Sequence, residues 1–293
     1  MEPKKQKFTE EFINEVKSNL FSRSKESIEN YEEFLWHKKA NLKNSSQVLA
    51  IDFWGCIKTS NYKDEIINLI FNKNESDWDI CFEYENKSLL AEPKSTQIDI
   101  LLESKGNIAL FIESKFTEKD GGKCSQTQKR TDSTHKGLVQ CSGNYEEQIN
   151  PVNKKECNCS LTGKGIKYWE YIDKLTEFKK EETYRPCPIR GGEYQWIRNI
   201  CFAEAYSENN NVKTETYLAY LDSAKCPMAI KVKDNNYLGS LKGKLNNNDA
   251  FLPISYYELL DKIIGHFEAR DNDEKQVFFE LKNWIKQKEE SIN

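Results

Sequence analysis

Thr96-Gln-Ile-Asp-Ile-Leu-Leu-Glu-Ser-Lys-Gly-Asn-Ile-Ala-Leu-Phe-Ile-Glu-Ser-Lys-Phe-Thr-Glu118 reads as strand, turn and strand. Two apolar arms, Ile98 to Leu102 and Ile108 to Ile112, flank Glu103-Ser-Lys-Gly-Asn107, where Gly106 supplies the backbone freedom that a tight reversal needs. A reversal centred on Gly106 sets Asp99, seven residues before it, opposite Glu113, seven residues after it. Residues directly opposed on an antiparallel pair share a face with Cβ atoms about 5 Å apart, and Lys115, two beyond Glu113, joins that face. A turn one residue shorter or longer would send Asp99 to the other face.

Opposed carboxylates repel, and among Ile, Leu and Phe neighbours they call for a compensating positive charge. A divalent cation supplies it. Hard oxygen ligands with room for water and a phosphate ester suit Mg²⁺ or Mn²⁺, which can polarise a phosphodiester and lower the pKa of water. Lys115 would then orient the water or stabilise developing negative charge. The competing reading is an ordinary exposed hairpin face on which Lys115 screens two acids.

Working outward, Phe8, Phe12, Val16, Leu20, Ile28 and Phe34 are spaced for one or two amphipathic helices over residues 8 to 40. Gln47 to Gly55 is a short apolar run, Tyr62 to Phe71 a helix candidate, and Trp78 to Tyr84 alternates as a strand. After the hairpin, residues 119 to 192 turn polar and carry five cysteines, broken by a helix candidate at Ile166 to Phe178. Glu193 to Tyr206 has helical spacing, Tyr217 to Leu221 and Met228 to Val232 read as strands, and Ile254 to His266 and Val277 to Ile285 as closing helices. This order predicts an α/β (α+β) fold, a mixed sheet flanked by helices and carrying a cysteine-containing insertion. The divisions expected are a helical segment 1–44, the first part of the core 45–119, the insertion 120–192, and the rest of the core with the C-terminal helices 193–293.

A chain of 293 residues with 38% hydrophobic content can build a real core. Its 43 basic residues are nearly matched by 47 acidic ones, a net charge of −4, so no global field draws in nucleic acid and any such attraction must come from local patches and bound cations. No run approaches the length of a membrane span and no secretion signal follows the basic N-terminus, which predicts a cytoplasmic protein without a membrane partner. Heavy use of Asn, Lys and Ile fits an AT-rich bacterial genome.

The hairpin resembles the PD-(D/E)xK nuclease superfamily, whose signature is an Asp on one strand and Glu-x-Lys on the next; the customary Pro is replaced here by Ile98. It is similar to a bacterial restriction-endonuclease-like branch in Glu113-Ser-Lys-Phe-Thr-Glu118, Cys124 and Tyr194-Gln-Trp-Ile-Arg-Asn199, with Tyr168-Trp169 and Cys187-Pro188 as looser matches. The resemblance implies a DNA nuclease with Asp99 and Glu113 as Mg²⁺ ligands and Lys115 as catalyst. It also implies a further acid on the helix before the first strand, for which Glu65 is the choice and Glu83 the competitor. Gln195 would reach the metal site, and Arg198 and Lys119 would contact nucleic acid. A double-strand cut needs two centres, so a homodimer is expected.

Cys124, Cys141, Cys157, Cys159, Cys187 and His135 lie where no hydrophobic core accounts for them, whereas Cys56, Cys81, Cys201 and Cys226 sit in apolar runs. Cys141, Cys157, Cys159 and Cys187 could hold a structural Zn²⁺, with an iron–sulfur cluster or unliganded thiols as alternatives. Two rivals to the enzyme thus remain: a non-catalytic nucleic-acid-binding protein on the same fold, and a zinc-held recognition module.

Overall fold

The structure, a computed structural model, describes residues 8–92, 94–124, 126, 141, 143–144, 161, 165–175, 187, 189, 191–243, 245–247 and 250–292. Among the described residues five strands form one mixed sheet in an α/β fold: β1 (Trp78–Glu85), β2 (Gln97–Ser104), β3 (Ile108–Lys115), β4 (Lys213–Tyr220) and β5 (Leu252–Ser255), in that spatial order. The first three are joined antiparallel, and β3, β4 and β5 run parallel. All eight residues of β3 are buried, as expected of a central strand covered on both faces.

The hairpin turns where the sequence places it. Gly106 takes a φ of +75° and Asn107 N–H bonds to the Ser104 carbonyl at 3.0 Å. Ile100 then pairs with Ile112 and Ser104 with Ile108, so the ladder is centred on Gly106.

Helices cover the sheet. α1 (Glu10–Asn19) starts at Thr9, whose hydroxyl accepts the Phe12 N–H at 3.2 Å. The helical spacing over residues 8 to 40 yields only this helix and a 3₁₀ turn at Arg23–Ser27, followed by turns held by a small core of Ile13, Val16, Trp36, Val48 and Ile51. α2 (Ser46–Lys58) is buried from Gln47 through Ile57. Such a helix shows no apolar stripe because every side faces protein, which explains why its sequence reads only as an apolar run. α3 (Lys63–Phe71) precedes β1.

Beyond the hairpin come α4 (Tyr168–Leu175) and α5 (Tyr194–Asn210), the latter within the crossover between the parallel pair β3 and β4. Two expectations are corrected here. Met228 to Val232 is not a strand but part of α6 (Pro227–Lys233), since Pro227 in the first turn presets a helical φ and needs no amide partner. α7 (Asn235–Lys242) follows. The helix expected from Ile254 begins instead at Tyr256: Ser255 caps α8 (Tyr256–Phe267), and the preceding residues pair with β4 as β5. α9 (Asn272–Glu290) closes the chain. Among the described residues no helix is long and apolar enough to cross a membrane.

Candidate active site

Asp99 and Glu113 stand one step beyond the last ladder pair, Ile100 and Ile112. There the ladder gives way to a side-chain bond, as Asp99 Oδ2 accepts the Ser114 N–H at 2.7 Å. Burial first, and then the negative charges of Glu113 and Glu83, push the Asp99 carboxyl well above the usual carboxylate range.

Glu113 is 2% exposed and both of its oxygens are engaged. Oε1 accepts from Lys115 Nζ at 2.7 Å, and Oε2 accepts from Asn199 Nδ2 on α5 at 2.7 Å. Burial opposes the charge of Glu113, but Lys115 and Arg198 outweigh it and hold the carboxyl below its usual range. Burial likewise opposes the ammonium of Lys115, and Glu113, Asp99 and Glu118 more than offset it, so that Lys115 stays cationic. Its Nζ also lies 5.6 Å from the centre of the Trp196 ring.

A third acid faces the pair. In the β1–β2 ladder Phe82 pairs with Ile100 and Tyr84 with Ile98, while the intervening Glu83 and Asp99 form no pair. Glu83 has a φ of +51°, the left-handed region that non-glycine residues occupy at a cost of about 1–3 kcal/mol. Its buried carboxylate accepts from Gln47 Nε2 at 2.8 Å through Oε1, and its Oε2 lies 3.4 Å from His37 Nε2. Gln47 also accepts the His37 N–H at 2.8 Å and donates to the Leu35 carbonyl at 2.9 Å, tying the N-terminal turns to the sheet. The adjacent Glu83 carboxylate raises the His37 pKa, burial opposes the rise, and the charges of Asp99 and Glu113 support it.

These groups border a cavity of about 590 Å³, whose wall includes His37, Asp99, Glu113, Lys115, Gln195 and Arg198. The far side is built by the start of α5. Gln195 N–H bonds to the Gly121 carbonyl at 2.8 Å, and Gly121 N–H to the Gly192 carbonyl at 2.7 Å. A Cβ on Gly121 would lie 2.6 Å from the Trp196 ring, so only glycine allows this approach. Arg198 lies 5.5 Å from the Tyr194 ring centre, and its buried Nε has no hydrogen-bond partner among the described residues. Tyr168 donates to Glu92 and lies 3.2 Å from the Tyr194 hydroxyl. Glu118, also on the wall, accepts from Ser46 Oγ at 2.6 Å and from the Phe116 N–H at 2.8 Å.

Glu65 is not brought to this cavity. It sits on α3, paired with His266 of α8 and with Arg270, and this engagement holds its carboxyl below the usual range. Its competitor Glu83 faces Asp99 instead. Lys119 is exposed and outside the residues bordering the cavity. Of the cysteines proposed for zinc, Cys141 and Cys187 are buried and share Gly143: Gly143 N–H bonds to Cys141 Sγ at 3.2 Å and Cys187 N–H to the Gly143 carbonyl at 2.9 Å. Cys157, Cys159 and His135 lie outside the described residues.

A family model described as Restriction Endonuclease associating with ARP matches residues 1–283. The chain belongs to this family. The match takes in the hairpin, the cavity wall and α5 together, and membership makes the chain a restriction-endonuclease-like protein. Neither the curated proteins nor the solved structures compared with it match the chain.

Sequence reasoning missed His37, Gln47 and Asn199. Asn199 was within reach, since it ends the Tyr-Gln-x-x-Arg-Asn motif and lies four residues, about one helical turn, beyond Gln195. His37 and Gln47 had no signal, because only the tertiary fold brings them to Glu83.

Proposed function

We propose that the chain is a metal-dependent endodeoxyribonuclease of restriction or defence type that hydrolyses DNA phosphodiester bonds. The observation supporting this most directly is the opposition of Asp99 and Glu113 across β2 and β3, with Lys115 beside them on the wall of one cavity, in a member of a restriction-endonuclease family.

The donor set fits a hard divalent cation. Burial first, and then the charges of Glu113 and Glu83, push Asp99 toward its neutral form, and a cation between the carboxylates would oppose that bias. Each Glu113 oxygen accepts one hydrogen bond and retains further acceptor capacity. Among the described residues no group of three or more His, Cys, Asp or Glu is arranged to hold a metal, so the ion would draw on two carboxylates and complete its shell from water and substrate. That is the habit of Mg²⁺, and Mn²⁺ takes the same ligands.

Bound there, the cation would supply positive charge against the scissile phosphate and acidify water. Lys115, kept cationic by Glu113, stabilises the negative charge that builds on phosphorus oxygens. Arg198 meets a neighbouring phosphate with a guanidinium whose Nε is unpaired among the described residues. Gln195 orients substrate or water at the rim, and the exposed Lys119 adds a backbone contact. Cutting both strands calls for two such centres, and a homodimer, testable by sedimentation, provides them.

Cleavage of supercoiled plasmid DNA, with Mg²⁺ or Mn²⁺ and with EDTA, tests the reading. Nicking or linearisation that EDTA abolishes is the expected result, and no cleavage with either metal would leave a non-catalytic binding protein.

For Cys141, Cys157, Cys159 and Cys187 we propose a structural Zn²⁺, with an iron–sulfur cluster as the alternative, on the strength of the shared turn at Gly143 that holds two of them. Elemental analysis before and after replacing Cys157 and Cys159 decides between metal and none.

A further inference from the structure

We propose that His37 is the proton donor of this site, delivering its proton to the sugar oxygen that leaves phosphorus, an inference that rests on the nuclease reading above. Departure of an alkoxide is costly without a proton, and a positioned acid near neutrality contributes about 10²–10⁴-fold. Four of the other proton-bearing groups on the cavity wall are poor donors. Lys115 holds its proton tightly within its ion pair, Arg198 does not release one, and burial raises both Tyr168 and Tyr194. His37 borders the same cavity as Asp99, Glu113 and Lys115, and its side chain is 46% exposed, open to a substrate placed there.

Its mounting is costly, and that cost motivates the assignment. Glu83 leaves the β1 ladder and takes a left-handed backbone, which brings a buried carboxylate behind the imidazole, while the buried Gln47 bonds to both Glu83 and the His37 amide. A carboxylate behind one ring nitrogen fixes the tautomer and orientation of a histidine and supports its charged form. With Nε2 turned to Glu83, Nδ1 is the nitrogen left to serve the cavity. Of the other histidines, His266 is committed to Glu65, and His135 lies outside the described residues.

The step balances. Water forms the new P–O bond and loses a proton to solvent as the P–O bond to the sugar breaks. The Nδ1 proton of His37 passes to the departing oxygen, and the imidazole is reprotonated by solvent. The acid must be charged before the step, so cleavage falls as pH rises through the His37 pKa. The charged groups facing it are Glu83 in contact, Asp99 and Glu113 from the sheet, and Glu32 and Glu33 across a small pocket of about 100 Å³.

The test compares plasmid DNA with bis(p-nitrophenyl) phosphate, whose p-nitrophenolate leaves without a proton, using the full chain and Mn²⁺. His37→Gln should slow DNA cleavage about 100-fold or more and change hydrolysis of the nitrophenyl ester by less than about threefold. A melting curve matching wild type confirms that its fold is intact. Wild-type cleavage should show an alkaline limb that His37→Gln lacks, and Glu83→Gln, which keeps the imidazole, should move that limb to lower pH. Equal rates for wild type and His37→Gln on DNA, or equal losses on both substrates, overturn the proposal. A wild type that cuts neither substrate overturns the nuclease reading first and this inference with it.

Discussion

Asn199 on α5 donates a 2.7 Å hydrogen bond to Glu113 Oε2, and Arg198 Nη2 lies 3.4 Å from the Asn199 side-chain oxygen. A helix near the far end of the crossover that leaves β3 therefore orients one of the two opposed acids. Partners that orient ligand side chains are worth about 10–100-fold in metal affinity or activity. Asn199→Ala should weaken Mn²⁺ binding and DNA cleavage by that factor, whereas Asn199→Asp, which sets another acid against Glu113, should lose more. Calorimetric Mn²⁺ titration alongside plasmid cleavage reads both, and unchanged affinity in Asn199→Ala would deny the residue a positioning role.

Lys115 and Glu113 are 6% and 3% exposed at their side chains, so removing the cation leaves a buried, uncompensated acid. Lys115→Ala should abolish cleavage and, without metal, cost about 3–5 kcal/mol of stability. Saturating Mg²⁺ should return part of that loss, because a ligand bound only by the folded state stabilises it. Urea unfolding with and without Mg²⁺ measures the difference. A variant equally stable under both conditions would argue against a cation beside Glu113.

The hairpin was legible because its information is local: Gly106 fixes the reversal, and the pairing of Ile100 with Ile112 follows by counting. α5 was legible for its spacing. α2 was not, since a helix apolar on every side presents no period, and Met228 to Val232 misled because its branched residues fit either state until Pro227 is weighed. At the site, Asp99, Glu113 and Lys115 share one hairpin and could be assembled on paper. Glu83 could not, because its approach to His37 depends on a backbone turn at φ +51° that nothing in Phe82-Glu-Tyr84 announces. The choice of Glu65 over Glu83 followed an expectation about the preceding helix, and α3 directs that carboxylate to α8 instead.

Glu65→Gln should therefore leave DNA cleavage at wild-type rate. Its side chain is 34% exposed, so solvent screens the pairs with His266 and Arg270 and the loss of stability should stay below about 1 kcal/mol. The carboxyl is depressed in the folded chain, so its contribution is present above the usual glutamate range and disappears as pH falls through the lowered value. Wild type and variant should then differ slightly in melting temperature near neutrality and converge in acid. A large fall in cleavage would return Glu65 to the catalytic set.

Asp52, fully buried on α2, ties three parts of the fold together. Oδ1 accepts the Phe21 N–H at 2.7 Å and the Ser24 hydroxyl at 3.0 Å, and Oδ2 accepts Trp284 Nε1 at 3.0 Å and Lys288 Nζ at 2.7 Å. Burial outweighs the pull of Asp52 and sets Lys288 below the usual lysine range, so the ammonium is tolerated only because the carboxylate meets it. Asp52→Asn preserves the acceptor toward Phe21 and turns an amide donor on Trp284 and Lys288, which should cost about 3–5 kcal/mol. Adding Lys288→Met removes the stranded charge and should recover much of that loss, since a buried pair replaced by apolar groups is often no less stable. Urea unfolding of wild type, both single variants and the double closes the cycle. Additive losses would mean that the two residues stabilise α2 and α9 independently rather than through their contact.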